Sequence, residues 1–298
     1  MDAFIFMHAL EGKSLPKELR NLLLPSTLLE VVRDSYARGW REESGELYIQ
    51  TISWGLSADE MEMDDRTKEA ILSLAFRSMM RLRRDSDARD LLRKFDHRNY
   101  KSRFSLHGFY HRIRQEFEEA IPHYWKAWEL RIHDEALLHE LCICLFRTGQ
   151  LDEIRQLLLT EGARAERNAY LLDLKIQIAT VEGDFSEAER LIGLLRAQPD
   201  DGGRSVKREA IIALRRDQNP AKAVAILDSG ISAGLGGMLD LRAVRCMALS
   251  RMTGAESRAR EDAQYVASRP AGIQIAHRLE AHLSLAKQNW PAALASLH

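Results

Sequence analysis

Several short stretches of this chain carry residue types that can do chemistry, and spacing decides what each one means. Gly12-Lys13-Ser14 matches the end of a phosphate-binding loop. Such a loop needs a Gly or small residue five places before its second Gly, so that backbone amides can wrap the phosphates. Position 7 is Met7, and Leu15-Pro16 follows where a helix should already be running. The tripeptide therefore reads as a chance match in a turn. His107 and His111 are four residues apart, so they share one helix face and could chelate a metal; His123 and His133 lie nearby in sequence. No carboxylate or cysteine completes a recognisable set, so these histidines read as groove or solvated-face residues, and neither metal nor cofactor is expected. His139-Glu140 lacks the second His of a zinc-protease motif.

Cys142 and Cys144 are two apart on an expected helix. They point about 200° apart, cannot chelate one ion together, and read as small core residues. With Cys246 they make three cysteines, too few for a disulfide framework and consistent with a reducing compartment. The Gly-rich stretch from Gly230 to Gly237 joins two expected helices with no preceding strand, so it reads as a turn and not a phosphate cradle. No Ser-His-Asp or Cys-His arrangement is legible, and no enzyme is expected.

The elements that position these groups are helices, and they repeat. Gln115-Glu116-Phe117 leads to Ala120, Gly149-Gln150-Leu151 to Ile154, and Gly183-Asp184-Phe185 to Ala188, each step being 34 residues. The phase continues through Ala223, Ala259 and Ala293 at steps of 35, 36 and 34. Self-similarity at this length marks supersecondary units that bury their apolar faces only against neighbours. The clearest pair is Lys101–Arg114 with Glu118–Arg131, where apolar and small residues recur at spacings of three and four. Gly149, Gly183 and Gly254 sit where helices stop. Asp152, Asp184 and Asn219 stand ready to cap helix starts. Residues 26–99 read as two looser pairs, Thr27–Ala37 with Arg41–Trp54 and Arg66–Arg84 with Ser86–Phe95. Ser57-Ala58-Asp59-Glu60 resembles a capping box that could open a short extra helix. In residues 1–25, Pro16 starts a short helix and Pro25 stops it.

Of the 298 residues, 45% are hydrophobic and 29% charged, the composition of a folded soluble protein. The formal net charge of −1 gives no overall case for nucleic acid or anionic lipid. No apolar run approaches the ~18 residues that span a bilayer. The N-terminus has no basic region ahead of its short apolar run, so a cytoplasmic location is expected. The last helix pair breaks off at Leu297-His298. That reads either as a fragment of a longer protein or as an end covered by a partner or a second copy of the chain.

Gly108, Phe117, Ala120, Tyr124 and Ala127 carry a resemblance to the tetratricopeptide repeat family. Gly183, Phe185, Ala188 and Pro199 extend it, and Ala259, Ala263 and Pro270 do so less closely. The resemblance covers about residues 100–298; Ile154 departs from the usual small residue, and units after Ala188 carry insertions. It implies an all-α fold, a right-handed superhelical α-solenoid of antiparallel helix pairs. The organisation is then an N-terminal helical segment over 1–25, divergent hairpins over 26–99 and a continuous array over 100–298. It also implies a non-enzymatic scaffold that binds a peptide or protein segment along the first helix of each unit. That face carries Phe109, Arg112, His139, Ile143, Arg147, Tyr170, Asp173, Gln177, Arg204, Lys207, Arg215, Arg251 and Arg278. Bases outnumber the single acid there, which suggests an acidic partner. Two other readings stay open. The chain also resembles helical arrays fused to bacterial signalling or defence ATPases, where the opening Phe4-Ile5-Phe6-Met7 and unfinished end would suit a sensor region. The basic face could alternatively meet nucleic acid.

Overall fold

The computed structural model describes residues 24–41, 44–130, 135–199, 201–235, 238–269 and 272–286. Gly12-Lys13-Ser14, the helix expected from Pro16, His133, Gly236-Gly237, Pro270, Ala293 and the pair member expected at Pro291–Leu297 lie outside them. The described residues hold fifteen α-helices, one 3-10 turn and no strand. They group into two compact units, Met1–Gly149 and Gln150–His298. The division falls inside the stretch that reads as one array.

In the first unit α1 (Pro25–Arg41), α2 (Gly45–Asp59), α3 (Asp65–Arg81), α4 (Asp85–His97), α5 (Arg103–Ile113), α6 (Phe117–Glu129) and α7 (Glu135–Arg147) follow one another. The second holds α8 (Leu151–Glu161), α9 (Ala169–Glu182), α10 (Phe185–Arg196), α11 (Arg204–Arg215), α12 (Pro220–Ser232), α13 (Met238–Leu249), α14 (Glu256–Ala267) and α15 (Ile273–Ala286). Within each unit, short connections join consecutive helices into αα-hairpins such as α5 with α6 and α9 with α10.

One backbone feature repeats more strictly than any side chain. Arg83, Gln115, Gly149, Gly183, Gln218 and Gly254 all have positive φ, between 49° and 79°. Their spacings are 32, 34, 34, 35 and 36 residues. Each sits in the turn between the two helices of a pair. The left-handed turn therefore extends the repeat back to Arg83, although only three of its six positions are glycine.

Local signals place the helix starts. Asp64 accepts from the Thr67 amide at 2.9 Å, Asp184 from Glu187 at 3.0 Å, and Asn219 from Lys222 at 2.9 Å with Pro220 in the first turn. Asn168 caps α9 by accepting from the Tyr170 and Leu171 amides at 2.9 and 3.1 Å. Four expectations are corrected. Pro25 opens α1, ahead of the start expected at Thr27, since proline at a first helical position loses no hydrogen bond. Arg41 ends α1 and does not open the next helix, which begins after Ser44 caps Leu47. The Ser57-Ala58-Asp59-Glu60 stretch closes α2, where the Ser57 hydroxyl donates back to the Ser53 carbonyl. Asp152 does not cap α8; Gln150 holds the cap position with no capping bond from its side chain to the helix amides, and Asp152 pairs with Arg155.

The two cores differ in substance. The first unit packs Phe76, Phe95, Tyr100, Phe109 and Tyr110 together, with Phe76 edge-on to Phe109 at 6.5 Å. Tyr124 is fully buried, and a Cβ on Gly108 would meet its ring at 2.7 Å, so α5 and α6 cross there only because position 108 has no side chain. The second unit buries Ala, Leu, Ile, Val and Cys246. Ile154, the departure from the repeat, is itself fully buried.

Candidate interaction surfaces

Three of the residues expected to face a ligand, Arg112, Asp173 and Lys207, form ion pairs with side chains of neighbouring first helices. Arg112 on α5 forms a two-pronged pair with Glu140 on α7, one prong at 3.2 Å, and both side chains are largely buried. Asp173 on α9 accepts from Arg208 on α11 through both oxygens at 2.6 Å. Gln177 donates to the same carboxylate at 3.3 Å. Lys207 on α11 reaches Asp240 on α13 at 2.6 Å. In the three ion pairs the two partners come from the first helices of successive pairs. Their sequence separations, 28, 35 and 33, lie near one repeat, because a step of one repeat lands on the equivalent face of the next pair.

Electrostatics agree with structural pairing. Burial alone would raise the Asp173 carboxyl, but the Arg208 charge and hydrogen bonds outweigh it and bring the pKa down to about 2. The Lys207 ammonium holds Asp240 below its usual range. Two of the bases expected on this face, Arg112 and Lys207, are therefore neutralised by Glu140 and Asp240.

The remaining expected residues scatter. Phe109 is 1% exposed and serves as a hub: the guanidinium carbons of Arg77, Arg112 and Arg81 lie 4.8, 5.0 and 5.7 Å from its ring centroid. It cannot anchor a partner without opening the core. His139 is half-buried. Tyr170 stays partly exposed under Arg204, 4.1 Å from its ring. Arg147 is exposed above the Phe117 ring at 5.1 Å. Arg215 and Arg251 are exposed. Cys142, Cys144 and Cys246 are fully buried, and burial pushes each thiol up to about 12, so none is a nucleophile at neutral pH.

Three arrangements escaped the sequence reading. Arg245 on α13 clamps Asp262 on α14 at 2.7 Å and Asp228 on α12 at 2.6 Å, tying three consecutive helices. The signal was present: Asp228, Arg245 and Asp262 are 17 residues apart at each step, half a repeat. The second arrangement is a cleft of about 320 Å³ among α8, α9 and α10. Leu158, Leu159, Ile178, Ala179 and Leu191 line it, with Arg155, Lys175, Glu182, Asp184 and Glu187 around them. Leu159 is 73% exposed. The third concerns His107 and His111, which do not stand alone. His123 stacks against both, and Asp96 and Glu116 hold them.

No protein-family model matches this chain, and no curated protein does. Among solved structures it is similar to yeast Tom70, a tetratricopeptide-repeat protein, with a TM-score of 0.52 and 14% identity over 92% of this chain. The match spans 62% of that protein's chain. At this identity the likeness shows the fold, an all-α solenoid of tetratricopeptide type, and not what the chain binds. Among the described residues no helix is long and apolar enough to cross a membrane.

Proposed function

We propose that this chain is a non-enzymatic interaction scaffold that takes a peptide segment of a protein partner in the cleft among α8, α9 and α10. The observation that carries the reading is the open apolar floor of that cleft, with Leu159 in solvent beside Ile178, Ala179 and Leu191. An exposed leucine of this kind on an otherwise polar exposed helix face is the sort of anchor a peptide side chain covers. Arg155 and Lys175 opposite Glu182 and Glu187 give the rim both signs, which suits a segment with an apolar anchor between charges of either sign. Independently of the cleft, the exposed cations Arg147, Arg215 and Arg251 suit a partner with an acidic stretch.

The test is affinity capture from source cells with the intact chain and with Leu159→Asp, read by mass spectrometry. Position 159 is exposed, so the variant should melt at the wild-type temperature. Partners retained by the wild type and lost by Leu159→Asp support the cleft. Equal retention by both sinks it, and the triple variant Arg147→Glu, Arg215→Glu, Arg251→Glu then separates an acidic-segment binder from a surface unrelated to charge.

A further inference from the structure

His107 and His111 stand one turn apart on α5. The close crossing at Gly108 and Tyr124 brings α6 against them and sets His123, the residue before Tyr124, beside the pair. The His123 ring lies 5.0 Å from His107 and 5.4 Å from His111, nearly parallel to each. One ring nitrogen from each of the three histidines falls within 4.8 Å of the others. Nitrogens around a tetrahedral zinc ion, bound at ~2.0–2.1 Å, are about 3.3 Å apart. Closing that gap takes side-chain rotations that turn the stacked ring planes toward one point.

Two carboxylates supply what the sequence alone did not show. His107 Nε2 lies 3.0 and 3.1 Å from the Asp96 oxygens, and His111 Nδ1 lies 2.8 Å from Glu116 Oε2. Glu116 is itself held by Arg114 at 2.8 Å. A carboxylate that accepts from one imidazole nitrogen fixes the tautomer and leaves the other nitrogen its lone pair, the usual outer shell of a histidine metal ligand. About a quarter of the His107 and His111 side chains is exposed, so an ion and a water can reach them.

We propose that His107, His111 and His123 form a three-imidazole site for a divalent first-row transition metal, zinc foremost, with one coordination position left to solvent. Imidazole nitrogens suit zinc, copper and nickel over magnesium or calcium. Bound there, the ion ties α5 to α6 within one repeat, and its open position offers a donor atom of another molecule a place to bind.

The test titrates the chelator-stripped full chain with Zn²⁺ in competition with a chromophoric chelator, and with Co²⁺ for its visible ligand-field bands. The expected result is one ion per chain with a dissociation constant of about 1 µM or below. His123→Gln should weaken it about 100-fold or more and Asp96→Asn about 10-fold, while His277→Gln in the second unit changes nothing. Zinc should also raise the melting temperature of the wild type and not of His123→Gln. If His123→Gln does not fold, His107→Gln carries the same expectation. No binding at this affinity, or equal affinity in the wild type and the histidine variants, overturns the proposal.

Discussion

The two units build similar helix pairs from different materials. The first buries Tyr48, Phe76, Phe95, Phe109 and Tyr124 and makes room for Tyr124 with Gly108. The second buries alanines and aliphatic side chains and ties its helices with Asp173–Arg208 and the Asp228–Arg245–Asp262 clamp. Large rings fill the space between helices and bring their own dispersion contacts. Alanines let backbones approach but leave little volume to lock register, and directional ion pairs can supply it. The comparison teaches that a repeat constrains backbone spacing more tightly than it constrains the means of filling the spacing. It also predicts that the two units fail differently when damaged.

Phe76→Ala is the sharpest blow to the first unit. The side chain is fully buried and edge-on to Phe109. Removing it deletes a ring and leaves a cavity, a loss of about 4 kcal/mol. Hydrogen exchange read helix by helix should show α3 to α5 opening far more often, with α11 to α14 unchanged. Equal loosening of both units would mean that they do not fold as separate bodies, and the comparison would fall.

Asp173→Ala is the matching blow to the second unit. It strands the Arg208 guanidinium in a site where both side chains are about 90% buried, a loss of about 3 kcal/mol. Replacing the pair together, Asp173→Leu with Arg208→Met, should restore most of it, because the charge left behind and not the lost attraction dominates the cost. Failure of the double variant to recover would assign the pair more than neutralisation. Acid makes the same point without mutation. The folded Asp173 pKa is depressed from 3.8 to about 2, so its share of stability is complete above pH 4 and fades as pH falls toward 2. That share is about 2 kcal/mol, and Asp173→Leu with Arg208→Met should lack that step in an acid titration of the second unit.

These pairs also show where the sequence was legible and where it was not. The helix periods, the caps at Asp184 and Asn219, and the glycine turns at Gly149, Gly183 and Gly254 are local signals, readable because each is decided within a few residues. The face of Arg112, Asp173 and Lys207 was also readable from period. What those residues touch was not, because the choice between a ligand and the next helix pair depends on packing across about 34 residues. Phe109 failed as an anchor for a related reason: its period fits the face edge, but three arginines and Phe76 close over it. The cleft at Leu159 escaped because the ligand face was expected along first helices, and Leu159 lies on α8, a second helix. The histidine cluster escaped because its carboxylates, Asp96 and Glu116, come from a preceding helix and a turn.

The smallest effects test the feature the units share. Gly183 has φ of +79°, and a Cβ there would meet no atom within 4 Å. Gly183→Ala therefore changes only backbone strain, against a partial gain from a stiffer unfolded chain, and should cost about 1 kcal/mol. Gln115 occupies the equivalent turn of the first unit at φ of +65° and already bears that strain. Gln115→Gly relieves it but returns conformational freedom to the unfolded chain, so the net gain should be about 0.5 kcal/mol. Opposite signs at the two positions, measured as denaturation midpoints, would confirm that one left-handed turn serves both units whatever residue holds it. The same sign at both would mean that Gln115 makes a side-chain contact that outweighs its backbone strain, and the first unit's turn would then be a different device from the second's.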